Sequence, residues 1–197
     1  FESAPAENPG TEQSIQRKWD SSADKPQDTN NNSTDFTIFN APTPKAASPR
    51  FYFFNNFSFA ENTTLKKSLS PYLFKNNIYI SPGVTLTIEP GTVIKFSPES
   101  LTTVDGTIKA IGTDADKIIF TSFKDDEYGG DTNEDGSSST PNDGDWQTIN
   151  FTKNSSDSEF QYTLFRYGGT HSVLPSGAVI KVDNSSISIK NSVFEKN

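Results

Sequence analysis

The sequence predicts an all-β chain that coils on itself in repeating rungs, and three observations carry that prediction. Between Val84 and Ser122 the chain reads VTLTIEPGTVIKFSPESLTTVDGTIKAIGTDADKIIFTS. Short β-branched runs follow one another there, with Gly or Pro turns between most of them, and none has the length or period of a helix. Second, the runs alternate apolar with polar residues, as in Val84-Thr-Leu-Thr-Ile88, so each has one face for a core and one for solvent. Third, the runs echo one another. GTVIKF (residues 91–96) is similar to GTIKAI (residues 106–111). FQYTLFRYG (residues 160–168) lines up with IKNSVFEKN (residues 189–197), setting Phe160 against Ile189, Leu164 against Val193 and Phe165 against Phe194. Stacked rungs need such echoes, because each inward side chain sits on a similar one in the next rung.

Residues 1–50 read as a disordered, low-complexity linker. They are rich in Pro, Ser, Asn, Asp and Thr, and TNNNST (residues 29–34) has no apolar period. Such a segment buries too little apolar surface to offset its chain entropy. Residues 51–68 form an aromatic capping segment. FYFFNNFSFA (residues 51–60) holds six aromatic residues, a run that pairs with strands or aggregates when exposed, so it is expected to be a buried strand or plug on the first rung. A sticky partner-binding segment is the competing reading. The repeat region runs over 69–197, with strands expected at 78–80, 84–88, 93–96, 101–104, 107–111 and 118–121. After an acidic insertion at 123–146, further strands are expected at 147–152, 160–166, 178–182, 186–189 and 193–194. The chain stops just after a repeat strand, which reads as truncation of a longer coil.

Composition bounds the classes. The apolar share is 31% and the net charge −8. An acidic chain has no footprint for nucleic acid. With no Cys, neither a disulfide framework nor a cysteine zinc site can form. No run approaches transmembrane length. Met is also absent, even at position 1, so the chain reads as a processed form or internal fragment.

From about Tyr79 to Asn197 the chain resembles the right-handed parallel β-helix repeat proteins of bacterial surfaces, which share the pectate-lyase-like fold. The residues that carry the resemblance are GVTLTIEPGTVIKF, VDGTIKAIGT, IIFTS, the acidic insertion, GDW, RYGG and the closing NSSISIKNSVFEKN. The resemblance implies a right-handed single-stranded parallel β-helix of an exported, extracellular or cell-surface protein. It implies no activity, since this fold hosts lyases, hydrolases, adhesins and scaffolds alike.

The acidic insertion holds the strongest candidate for chemistry. Asp131-x-Asn133-x-Asp135-Gly136 matches the first half of an EF-hand-type calcium loop, in which alternate oxygen-bearing side chains converge and glycine allows the sharp turn. Ser137 would offer its carbonyl at the seventh position. The twelfth position is Asn142 where a bidentate glutamate belongs, and Asp125, Asp126, Asp143 and Asp145 stand near enough in sequence to substitute. Six Asp and two Glu lie between Asp125 and Asp145; that density repels itself unless a cation neutralises it. A solvated acidic turn uses the same residue types. The expectation is a structural Ca2+ that pins the insertion to its rung.

Trp146, Arg166 and Tyr167 are candidate glycan contacts, with packing at the base of the insertion as the stronger reading for Trp146. Arg166 could also be imagined as the proton-abstracting base of a lyase, but an arginine at a strand end is more often a surface residue. Asp125 and Asp126 are adjacent, so on a strand they face opposite sides and make a poor acid and base pair. His171 is the single histidine and has no partner for a zinc triad or a relay.

The expected function is a non-catalytic scaffold or glycan and cell-envelope binding module with a calcium loop, continuing into further rungs or domains of a parent chain. The alternative is a polysaccharide lyase or glycoside hydrolase whose active-site rungs lie partly beyond Asn197.

Overall fold

A computed structural model describes residues 14–20, 25–26, 28–39, 52–170 and 177–197. His171 lies outside them, as do most of the expected linker and Phe51. The chain divides into two units, Phe1–Ala47 and Ser48–Asn197.

The first unit is small, and the described part of the expected linker carries regular structure. β1 (Ser14–Arg17) pairs antiparallel with β4 (Phe36–Phe39), and β2 (Trp19–Asp20) with β3 (Lys25–Pro26). A single helical turn, α1 (Asn32–Asp35), precedes β4 and is capped by the Asn31 side chain, which accepts from the Ser33 amide. Asp35 is buried and accepts from the Thr29 amide and hydroxyl. This local network of side-chain and backbone bonds gives a polar sequence a defined shape without an apolar period.

The second unit is an all-β parallel solenoid. Its strands are β5 (Tyr52–Phe59), β6 (Thr63–Leu65), β7 (Tyr72–Ile80), β8 (Thr85–Ile88), β9 (Val93–Phe96), β10 (Leu101–Val104), β11 (Thr107–Ile111) and β12 (Ile118–Ser122). After the insertion come β13 (Thr148–Phe151), β14 (Ser158–Gln161), β15 (Thr163–Arg166), β16 (Ile180–Val182), β17 (Ile187–Lys190) and β18 (Val193–Glu195). Every pairing among them is parallel. The strands stack on three sides. One side runs β7, β10, β13, β16; the second β6, β8, β11, β14, β17; the third β7, β9, β12, β15, β18. The second side has five strands, one for each coil. β5 and β7 are long because each turns a corner and serves two sides: Tyr72–Phe74 pair with β9, while residues 77–80 pair with β10.

The aromatic run is therefore the opening strand of the solenoid rather than a separate cap, and the first coil begins at Tyr52. The echo between 160–168 and 189–197 is the true stacking register: Phe160 pairs with Ile189, Leu164 with Val193 and Phe165 with Phe194. The echo between 91–96 and 106–111 is not. β9 lies on the third side and β11 on the second, and they share no ladder. Both segments follow a tight turn and alternate, which makes them alike without making them neighbours.

Corners are built from single residues in the left-handed region. Asn56 and Asn76 occupy one corner at φ 46° and 57°, and Asn76 Nδ2 donates to Asn55 Oδ1 at 2.8 Å. Tyr162 (φ 49°) breaks the strand expected over 160–166 into β14 and β15, and the equivalent Asn191 (φ 50°) does the same one coil later. Asn adopts this conformation at little cost because its short side chain bonds the local backbone.

The core fills from alternate residues. Phe74, Phe96, Phe120 and Phe165 are at most 2% exposed and run as a column along the third side. Phe120 stacks on Phe165 with centroids 4.7 Å apart, and Phe165 on Phe194 at 4.6 Å. Offset stacking adds about 0.5–1.5 kcal/mol per pair beyond area burial.

Candidate functional site

The acidic insertion does not project into solvent; it lies on the outer face of the third side. Strand alternation explains why that face receives it. In β9, Ile94 and Phe96 enter the core, so Lys95 points outward. In β15, Phe165 enters the core, so Leu164 and Arg166 point outward. Lys95 pairs with Thr121, and Arg166 with Glu195. The row thus carries two cations, and the acidic insertion covers them. Lys95 is 0% exposed and Arg166 2%.

Arg166 is enclosed rather than displayed at the surface. Its Nη1 donates to Asp125 Oδ2 at 3.2 Å and lies 2.8 Å from Glu127 Oε2, and its Nε is 3.1 Å from Glu195 Oε1. That last contact is an ion pair by distance, but no hydrogen bond from Nε is aligned. The rings of Tyr128 and Tyr167 each lie 5.0 Å from the guanidinium carbon, and Nη2 donates to the Tyr167 hydroxyl at 3.2 Å. Burial alone would lower the guanidinium pKa. The Glu127 hydrogen bond and the field of Asp125 outweigh it, and the group is held above its ordinary value.

Lys95 donates to the carbonyl of Gly130, at the apex of the insertion. Burial pushes its ammonium down to about 8, partly offset by the fields of Asp126, Asp125 and Asp131. Asp126 is shifted the other way. Burial raises its carboxyl, the Asp131 field adds to this, Lys95 opposes it, and Asp135 and Asp125 raise it further.

The EF-hand-like segment forms a tight turn. Asp131 accepts from the Asp135 amide at 3.3 Å and the Gly136 amide at 2.8 Å. Gly136 sits at φ 70°, the conformation the motif demands. Asn133 Nδ2 donates to Asp135 Oδ2 and Ser139 Oγ, both at 2.8 Å. Three oxygens are left shielded from solvent without a hydrogen-bond partner: Asp126 Oδ1, Asn133 Oδ1 and Asp135 Oδ1. They are hard donors of the kind calcium takes, and in this respect the residues fit that ion. No three or more His, Cys, Asp or Glu side chains among the described residues form a metal-holding group; the orphaned set has two carboxylates and an amide.

The other expected ligands have different places. Asp125 is 2% exposed and committed to Arg166 and the Thr121 hydroxyl. Asp145 closes the base of the insertion, pairing with Lys124 at 2.9 Å and accepting from Ser122 Oγ at 2.7 Å and the Asn142 amide at 3.1 Å. Asp143 and Ser137 are exposed on the outer rim.

Trp146 is 0% exposed. Its ring stacks on Phe96 at 4.3 Å, and its Nε1 donates to the Arg166 carbonyl at 2.9 Å. The opposite side meets the Gly168 backbone so closely that a Cβ there would lie 2.5 Å from the indole. With Arg166 at 2% and Tyr167 at 7% exposed, none of the three expected glycan contacts presents a ring or charged head to solvent.

Lys95, Glu127 and Tyr128 were not legible as site residues. The available signal was the unbroken apolar run Ile118-Ile119-Phe120. A parallel strand buried on both faces reads that way, so something had to cover its outer face.

Neither protein-family models nor solved structures match the chain. A stretch of 58 residues is 40% identical to "Protein bark beetle" of Drosophila melanogaster. It covers 29% of this chain and spans about 2% of that protein's length. No helix among the described residues is long and apolar enough to cross a membrane.

Proposed function

We propose that the chain is a non-catalytic scaffold, a right-handed parallel β-helix segment of an exported surface protein that presents one long side to a polysaccharide or cell-envelope surface. The observation that carries this reading is the commitment of the candidate reactive groups. Arg166 and Asp125 hold each other inside the protein, where neither reaches a polymer.

The presented side is the second one. Its outer row runs Thr64, Thr87, Lys109, Glu159 and Ser188 across successive coils. Glu159 stands between Lys109 at 3.9 Å and Lys190 at 3.6 Å. Hydroxyl, ammonium and carboxylate groups repeat there once per coil, about 4.8 Å apart, a spacing that suits the hydroxyls of an extended glycan.

The insertion is the calcium loop of this scaffold. Asp126, Asn133 and Asp135 would hold the ion through their unpartnered oxygens. Its contribution would be to neutralise the negative field of Asp131, Asp135 and Asp125 which, after burial, raises the Asp126 carboxyl. Thermal melting with and without added calcium tests the assignment. The expected result is a rise in Tm that Asp135→Asn abolishes; no shift with millimolar calcium overturns it. Incubation with pectin and alginate tests the scaffold reading, and unsaturated uronate absorbance would replace it with the lyase.

A further inference from the structure

The opening strand of the solenoid carries a symmetry that no coil inside the fold uses. β5 reads Tyr52-Phe53-Phe54-Asn55-Asn56-Phe57-Ser58-Phe59. Read backward about the Asn55–Asn56 bond, aromatic falls on aromatic at 52 with 59 and at 54 with 57, and Asn falls on Asn at the centre. The structure bends the strand at that same point. The pairing with β7 shifts register between Asn55 and Phe57, and Asn56 sits at φ 46°. One arm, residues 52–55, lies on the third side and the other, residues 57–59, on the first.

The bend also sets which residues share a face. Tyr52, Phe54, Phe57 and Phe59 pair with the core residues Tyr72, Phe74, Ile78 and Ile80 and share their inward face; Phe59 is 2% exposed, and Phe54, Phe57 and Phe59 form a triangle of rings 4.9, 5.1 and 5.0 Å apart. Phe53 turns outward under Lys75. Tyr52 is 47% and Phe57 40% exposed. The rings line an open groove of about 310 Å³ with Glu61 at its rim. Among the described residues, β5 pairs only with β7.

We infer that this end is an interface between two copies of the chain, joined by antiparallel pairing of β5 with β5 about a two-fold axis through the Asn55–Asn56 corner. A V-shaped strand turned about its own bisector lands on itself with its arms exchanged and its direction reversed. Tyr52 then meets the partner's Phe59, Phe54 the partner's Phe57, and Phe53 the partner's Ser58. In each pair the two residues come from the same face, so the aromatic rows join without a slip. Such a contact is isologous and closes as a dimer. Charge favours this patch over the rest of the surface. The chain carries −8 overall, but β5 has no charged residue, and no Pro or inward charge protects its edge, whereas the strands that expose apolar residues at the other end each carry a charge, Lys181, Lys190 and Glu195. An eight-residue strand is about 27 Å long, and one strand with the groove beside it falls below the ~1,200 Å² of a standard interface. Association is therefore weak and is read at about 10–200 µM protein.

Sedimentation equilibrium over that range tests the inference on the full chain. The expected result is a monomer–dimer equilibrium that Phe57→Lys weakens at least tenfold, while Ser188→Lys, on the second side, leaves it unchanged. Circular dichroism melting checks that Phe57→Lys still folds. The chain has no cysteine, so the double variant Phe53→Cys, Ser58→Cys gives an independent readout. Within one copy these positions lie on different arms; across the two-fold they are opposite, and oxidation is expected to give a covalent dimer. A monomer at 200 µM together with no covalent dimer overturns the inference, as does an equilibrium that Ser188→Lys weakens as much as Phe57→Lys. Higher assemblies would mean a contact that does not close, and would overturn it too.

Discussion

Arg166 and Asp125 form an ion pair inside the protein, Nη1 to Oδ2 at 3.2 Å, with both side chains at most 3% exposed. Asp125 comes from the insertion and Arg166 from β15, so the pair fastens a loop to a strand of the following coil.

Breaking this pair from one side strands the other charge. Arg166→Met leaves Asp125 with the Thr121 hydroxyl and the Glu127 amide, and the expected loss is about 3–5 kcal/mol in urea unfolding. The double variant Arg166→Met, Asp125→Asn should recover part of that loss, because no buried charge is left unpaired and the remaining carboxylates, Glu127 and Glu195, are 61% and 43% exposed. Equal stability of the single and double variants would show that the charge of Asp125 is met by other groups.

Lys95 gives the fold a dependence on alkaline pH. Its ammonium titrates near 8 in the folded chain, against an ordinary 10.5. Between those values the unfolded chain binds more protons, so stability rises with pH and the full gain is present above the unfolded value. The expected gain is about 2–3 kcal/mol between pH 8 and 10.5. Tyr72 and Tyr79 are both held above the ordinary phenol value and do not enter the lower part of this window. Urea midpoints at pH 7, 8, 9 and 10 read it out, and Lys95→Met should flatten the profile.

Asp105 gives the opposite edge. Hydrogen bonds from the Thr152 and Tyr79 hydroxyls, in that order, hold its carboxyl below the usual range against the opposing effect of burial, with Asn154 adding to them. The folded chain keeps this carboxylate charged at lower pH. Its stabilisation is therefore present above the ordinary carboxylate value and lost as pH falls through the depressed one. Asp105→Asn should cost about 1 kcal/mol at pH 7, the site being partly exposed, and should lose less on acidification than the parent. A parallel acid profile for the two would exclude the role.

Within the phenylalanine column, position sets the cost of truncation. Phe120 is 2% exposed and touches Phe96, Phe160 and Phe165. Phe120→Ala should cost about 3–5 kcal/mol. Phe194 stacks on Phe165 alone and is 45% exposed, and its truncation should cost about 1 kcal/mol. Thermal unfolding of the two variants compares them directly.

Much of the solenoid was legible because its repeat is carried by side chains that must match. Phe160 matches Ile189 and Phe165 matches Phe194 in the sequence, and the ladder follows the same register. The match of 91–96 to 106–111 failed because strand alternation is the same on every side of a coil and does not say which side a strand belongs to. The strand expected over 160–166 runs through Tyr162 because nothing local marks a tyrosine for the left-handed region. The acidic motif was legible as a turn, but its cationic counterparts were not. Lys95 and Arg166 lie far from it in sequence and become neighbours only after three sides have closed into a coil.

The cover over the third side changes where the molecule resists opening. β12 has a hydrocarbon core beneath it and a charge-paired layer above it, and all five of its residues are buried. It sits near the middle of its ladder, with β9 on one edge and β15 on the other. Its amides have no exposed face or free edge through which solvent can enter by local fraying, so they exchange hydrogen only when the coil comes apart as a whole.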